Sequence, residues 1–287
     1  MSKIILGTVQ FGLDYGINNM LGKTPVEEIH QILDYAYSKG ISTLDTASGY
    51  GDSEKIIGNY LTENPDKKFA IITKVNSSGS LLEKQLKESL SRLKLKKVDV
   101  LMLHSFELYQ KLKPQLNIFC KKNKGKHFNE LGVSVYTNDE IEVINSDPNI
   151  NRIQTPFNLL DNEAKRREKY TKIKSNGKVI DTRSVFLQGL FFKDTNKLPV
   201  NLEQLRGPLE KLKRIADSES LSMEELAIGY VSSMNFIDNI LIGVDSLDQL
   251  KKNINVLSNS ISKELVDEIN SISIQNTNLL NPSLWKI

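Results

Sequence analysis

The chain has 287 residues, enough for two average domains, although a barrel of repeated strand and helix units reaches this length as one domain. Thirty-eight basic residues against thirty-five acidic leave a formal charge of +3 spread along the chain, which argues against a nucleic-acid partner, since such binders carry clustered basic faces. The single cysteine, Cys120, excludes an internal disulfide and a four-cysteine zinc site and reads as a packing residue.

The opening MSKIILGTVQFG lacks the apolar stretch of a signal peptide. No run approaches the roughly 20 apolar residues needed to span a bilayer, so the expectation is a cytoplasmic protein with no membrane partner. In chain order, short apolar runs each end in a small or polar residue. They are KIILGT near Gly7, STLD at Asp45, AIITK at Lys74, VDVLMLH at His104, ELGVS at Ser134, RIQ at Gln154, VIDTRS at Ser184 and NILIGV at Gly243. Helical spacing fills the intervals. PVEEIHQILDYAYSKG puts Val26, Ile29, Ile32, Leu33 and Ala36 on one face, with Pro25 suited to a first turn and Gly40 to a stop. SLLEKQLKESLSRLKL repeats the design, with Ser80 as N-cap and Leu82, Leu86, Leu90 and Leu93 in one stripe. The basic run KKNKGKH at 121–127 reads as a solvated helix end.

The strand ends recur evenly: Lys74 follows Asp45 by 29 residues, His104 follows Lys74 by 30, and Ser134 follows His104 by 30. Eight such units with right-handed crossovers close most naturally into an α/β fold of the (β/α)8 TIM barrel type, here one domain over residues 1–287. The competing open doubly wound sheet would carry a G-x-G-x-x-G fingerprint after an early strand, and none is present.

In a barrel of this kind the C-terminal strand ends share one rim, so Asp45, Lys74 and His104 project together, with Tyr50 above them on the loop LDTASGYGDSE. A lysine there needs a counter-ion, and Asp45 supplies it. A cation about 4 Å from a phenol is worth about 4 kcal/mol at an effective dielectric near 20, which would draw Tyr50 from about 10 toward neutrality. Tyr50 then suits general acid or base work, and His104 suits orienting a carbonyl oxygen. These groups deliver a proton but no hydride, so a redox reading requires a bound cofactor. Each residue alone has an ordinary structural explanation; their coincidence at successive strand ends favours a site. His30 and His127 lie elsewhere, and no metal-binding spacing occurs.

With these residues in view, the chain resembles the aldo-keto reductase family. The likeness runs through GTVQFG, LDTASGYGDSE, IITKV, VDVLMLHSF, LGVSVY, IQTPFNLLD, RSVFLQGL and LIGVDSLDQLKKNI, in family order. The resemblance implies an NAD(P)H-dependent oxidoreductase that reduces an aldehyde or ketone, possibly a sugar carbonyl, with NADPH the expected cofactor and NADH the alternative. It implies Tyr50 as proton donor, Lys74 and Asp45 as the groups that tune it, and His104 as the substrate-positioning residue. It further implies that Ser134 and Gln154 hold the nicotinamide carboxamide. The segment Ser184 to Leu190, with Ser184, Leu187 and Gly189, would wrap the pyrophosphate, and Gly243, Ser246, Gln249 and Asn253 would meet the adenosine half.

Several positions depart from the family pattern. Val135 stands where many members have asparagine, and Arg183 replaces the aromatic that stacks on the nicotinamide. A guanidinium also stacks on a ring, so Arg183 either covers the nicotinamide or pairs with a phosphate of cofactor or substrate. After Gly243 the usual basic residue is missing: Asp245 would repel a 2′-phosphate if it faced one, although Lys251 and Lys252 lie within two turns. Trp285 either folds over the mouth or packs on the barrel's outside. Two other readings of the chain remain: a cofactor-binding sensor with little turnover, and a Schiff-base aldolase using Lys74.

Overall fold

The computed structural model describes residues 4–19, 22–79, 81–258 and 261–285. Eight parallel strands close into a barrel in chain order: β1 (Ile4–Gly7), β2 (Thr43–Asp45), β3 (Ala70–Val75), β4 (Val98–Leu103), β5 (Phe128–Ser134), β6 (Arg152–Pro156), β7 (Val179–Arg183) and β8 (Asn239–Gly243). β8 pairs back on β1 in parallel, with Gly7 beside Gly243, which rules out the open sheet. All eight expected runs are strands, their edges shifted by one or two residues. β7 stops at Arg183 because Ser184 turns to φ +60, a left-handed conformation that leaves the ladder.

Successive strand residues point to opposite faces, so each strand serves two cores. Ile5, Ile72, Val100 and Met102, with Leu241 against them, fill the barrel interior. Their neighbours Leu6, Leu44, Ile71, Leu101, Leu131, Val133, Ile153, Ile180 and Ile240 belong to the larger layer between strands and helices. Continuing the alternation of the interior set by one step brings Asp45, Lys74 and His104 inward at the upper rim.

The helices are α1 (Val9–Gly12), α2 (Val26–Ser38), α3 (Ser53–Glu63), α4 (Leu81–Leu93), α5 (Phe106–Asn123), α6 (Asn138–Asn145), α7 (Glu163–Ser175), α8 (Arg206–Ser218), α9 (Met223–Ser232), α10 (Leu247–Asn255) and α11 (Lys263–Asn270). In α2 the stripe Ile29, Ile32, Leu33 and Ala36 is buried as expected, but Val26, in the first turn, is 45% exposed and lies off the core. Leu82, Leu86, Leu90 and Leu93 of α4 are all buried, while its expected cap, Ser80, lies outside the described residues. The connection from β7 to β8 is longer than one unit: three short 3₁₀ turns precede α8 and α9. Cys120 is buried on α5. Among the described residues, no helix is long and apolar enough to cross a membrane.

Candidate active site

Asp45 and Lys74 end adjacent strands and are both almost wholly buried, and the Lys74 ammonium donates to Asp45 Oδ1. Lys74 Nζ also donates to the Thr46 carbonyl at 3.3 Å. The second carboxylate oxygen of Asp45 accepts from Gln154 Nε2 at 2.8 Å, so both oxygens of a buried charge are satisfied.

The loop carrying Tyr50 is held by the smaller letters of its motif. Ser48 donates through both its N–H and its hydroxyl to the Lys74 carbonyl, at 2.9 and 3.0 Å. Ser53 Oγ donates to the Thr8 carbonyl at 2.9 Å and lies within hydrogen-bond reach of the Thr8 and Thr46 hydroxyls. Glu54 is buried and accepts from Thr73 Oγ1 at 2.6 Å and from Arg92 Nε at 2.7 Å. These residues build the shelf on which Tyr50 stands. Gly51, at φ +51, makes the turn beyond it. Gly12 lets the segment after β1 cross against the same turn, since a Cβ there would fall 1.8 Å from the Tyr50 carbonyl oxygen.

Lys74 Nζ lies 5.2 Å from the centroid of the Tyr50 ring, and the His104 ring meets that ring edge-on at 6.1 Å. The phenol does not move in the expected direction. Burial raises its pKa, and the attraction of Lys74 opposes without prevailing. Burial likewise works against the charge on Lys74, but Asp45 and then Tyr50 outweigh it, so its pKa is raised and it stays an ammonium. His104 moves down to about 4, through burial first and the cations Lys74 and Arg183 second. At neutral pH the three groups are therefore a phenol, an ammonium and a neutral imidazole.

This cluster forms one wall of a cavity of about 630 Å³ that also includes Ser134, Gln154, Arg183, Ser184, Gly189, Gly243, Gln249 and Asn253. Two expected ligand residues do not line it. Leu187 is fully buried in the apolar layer, and Ser246 uses its hydroxyl to cap α10, accepting from the Gln249 N–H at 3.3 Å. Trp285 is also off the cavity. Its indole N–H donates to the Leu279 carbonyl at 3.0 Å, and the ring packs on the outer apolar layer.

Several lining residues were not singled out one by one in the sequence, among them Gln10, Tyr136 and Gln188 within the motif blocks and Tyr15 and Asn18 outside them. The segment after β1 and the segment after β7 clasp each other over the cavity: Asn18 Nδ2 donates to the Gly189 carbonyl at 2.5 Å, and Gln188 Nε2 to the Tyr15 hydroxyl at 2.6 Å. Among the described residues, no group of three or more His, Cys, Asp or Glu gathers as a metal site.

The Aldo/keto reductase family model matches residues 3–274. The chain belongs to the aldo/keto reductase family. An uncharacterized oxidoreductase of Bacillus subtilis, YqkF, is 23% identical over 282 residues, covering 88% of this chain and 90% of that protein. A 6-dehydroglucose reductase of Novosphingobium aromaticivorans is 26% identical over 142 residues, covering 43% of this chain and 46% of that enzyme. The solved holo form of an aldo-keto reductase from Bacillus halodurans superposes with a TM-score of 0.71 at 19% identity, covering 96% of this chain and 94% of that one. Arg183 stands at the end of β7 on the cavity wall. Its guanidinium carbon lies 4.0 Å over the Tyr136 ring, and Nη2 donates to the Val135 carbonyl at 3.3 Å. Val135 itself is buried in the apolar layer and does not line the cavity.

Proposed function

We propose that this chain, acting as one barrel unit, is an NAD(P)H-dependent oxidoreductase that reduces an aldehyde or ketone, with Tyr50 as proton donor. The observation that carries the reading is the state of Tyr50: a phenol kept protonated by burial, beside a Lys74–Asp45 pair and a neutral imidazole, on the wall of a cavity large enough for a cofactor and substrate.

The lining fits a nicotinamide dinucleotide. Gln154 uses its Nε2 on Asp45, which leaves its Oε1 to accept from a carboxamide, with the Ser134 hydroxyl beside it on the next strand. Gly7 and Gly243 keep the floor low: a Cβ on Gly243 would meet the Gln10 amide at 2.9 Å. Ser184 and Gly189 would follow the pyrophosphate, and Gln249 and Asn253 the adenosine half. Bound there, the reduced nicotinamide supplies the hydride.

The residues of the chain then divide the remaining work. His104, neutral at working pH, donates one N–H to the substrate carbonyl oxygen and fixes its approach. Tyr50 gives its hydroxyl proton to that same oxygen as negative charge develops there. Lys74 stabilises the phenolate left behind, and Asp45 keeps Lys74 charged through the step. The charged state of Lys74 weighs against a Schiff-base aldolase, which needs a neutral amine.

The test is a panel of aldehydes, ketones and sugars in which loss of NADH or NADPH absorbance is followed for wild type and Tyr50→Phe in parallel. Turnover in wild type that collapses in Tyr50→Phe supports the reading. Dinucleotide binding without turnover across a broad panel would instead favour a sensor, and borohydride trapping on Lys74 would favour the aldolase.

A further inference from the structure

The end of the cavity where α10 begins has an electrostatic character at odds with the NADPH expected from the resemblance. Asp245 lines it directly after β8, and Glu224 of α9 lines it from the neighbouring helix. Lys252 is the cation on this stretch of wall. Lys251 pairs with Asp248 at 3.4 Å and does not line the cavity. Two acidic residues thus line this stretch of wall against one lysine.

Gln249 does not offset this. Its Oε1 accepts from the Asp245 N–H at 2.8 Å and its Nε2 donates to Asp245 Oδ2 at 3.2 Å, so both ends of the amide are spent on fixing the Asp245 carboxylate. The other oxygen, Oδ1, is buried and has no hydrogen-bond partner within the protein. A 2′-phosphate would bring close to two negative charges to this wall. A ribose with free 2′ and 3′ hydroxyls would bring no such charge, so the fixed Asp245 carboxylate penalises the phosphorylated nucleotide alone.

We propose that the cavity takes NADH in preference to NADPH, and that Asp245, held by Gln249, is the residue that discriminates. The inference rests on the reading of the cavity as a nicotinamide dinucleotide site. It goes beyond that reading by assigning the cofactor and naming a specificity-determining residue.

Equilibrium titration of the protein with NADH and with NADPH, followed by nucleotide fluorescence, tests it without any substrate. The expected wild-type result is a Kd for NADH at least about tenfold below that for NADPH. Asp245→Asn keeps the side-chain shape and removes the charge, and should narrow that ratio at least about fivefold; Asp245→Arg should reverse it. If NADPH binds as tightly as NADH or tighter in wild type, or if Asp245→Asn leaves the ratio where it was, the assignment is overturned while the nicotinamide reading stands. If neither nucleotide binds, both fall.

Discussion

Gln154 donates across 2.8 Å to Asp45 Oδ2, joining β6 to β2 through the barrel mouth over a separation of 109 residues. The sequence suggests separate duties for the two residues, one on the cofactor and one on Lys74. Their contact means that a change at Gln154 reaches Lys74 through Asp45, and Tyr50 through Lys74. Gln154→Leu should leave one oxygen of the buried Asp45 carboxylate unpaired, costing about 1–3 kcal/mol of stability, and should also weaken dinucleotide binding. Urea midpoints and fluorescence titration check the two effects; an unchanged midpoint would mean that the pair is energetically silent.

On the proposed mechanism, in which the hydroxyl serves the substrate oxygen, Tyr50→Phe should lower turnover about 10²–10⁴-fold while changing dinucleotide affinity little. With the phenol's pKa raised by burial, the wild-type rate should show no alkaline fall through pH 9. With His104 at about 4, it should show no acid limb from that imidazole above pH 5. A limb near pH 6.5 that disappears in His104→Gln would contradict this picture.

The barrel and its polar rim were legible from Asp45, Lys74, His104 and Ser134 because one βαβ unit imposes one spacing, and strand alternation turns every such end inward. Tyr50 was legible through its motif, but the direction of its pKa was not. Charge proximity can be read from a string, whereas the depth of burial depends on segments distant in sequence, such as the one bearing Gly12, whose missing Cβ allows the close crossing at Tyr50. At Leu187 the sequence did not disclose the direction of the side chain. It sits in a segment that does border the cavity, but positive φ values at Ser184, Leu187 and Gln188 coil the backbone so that Leu187 faces the core and Gln188 the ligand side. The clasp between Asn18 and Gly189 lay equally out of reach, since nothing local marks either partner.

His104 also bears on stability. Its folded pKa of about 4 lies below the ordinary 6.5, so between these values the unfolded chain takes up a proton that the folded one refuses. Stability should therefore fall as pH drops from about 6.5, and this contribution should level off near pH 4, with a total of at most about 3 kcal/mol. In His104→Gln the urea midpoint should decline less over that window. An equal decline would assign the acid sensitivity to other groups.

The Lys74–Asp45 pair is buried on both sides, so removing one partner strands the other. Lys74→Met should destabilise the fold by about 3–5 kcal/mol. The double change Lys74→Met with Asp45→Leu should recover part of that loss, though not turnover, since the proposed mechanism needs a cation beside the Tyr50 phenolate. Thermal unfolding of the three variants measures the coupling. A double variant as unstable as the sum of the singles would show that the pair is not a unit.

Arg183 makes no ion pair among the described residues, although it lines the cavity and acts electrostatically on both Tyr50 and His104. Its protein contacts are weak ones: 3.3 Å to the Val135 carbonyl, 3.4 Å to the Ser184 hydroxyl, and the face of Tyr136. A half-buried guanidinium with so little to neutralise it is suited to a ligand, either as a flat cover for the nicotinamide or as a partner for phosphate or carboxylate. Arg183→Ala should raise the KM for cofactor or for substrate about tenfold or more, consistent with about 1.5–3 kcal/mol for hydrogen bonds to a charged group. Tyr136→Leu should have a smaller effect in the same direction, since it removes only a cation–π platform worth about 0.5–2 kcal/mol. Which KM moves in Arg183→Ala separates a cofactor contact from a substrate contact, and if neither moves, Arg183 is a brace for the Val135 loop and not part of the binding site.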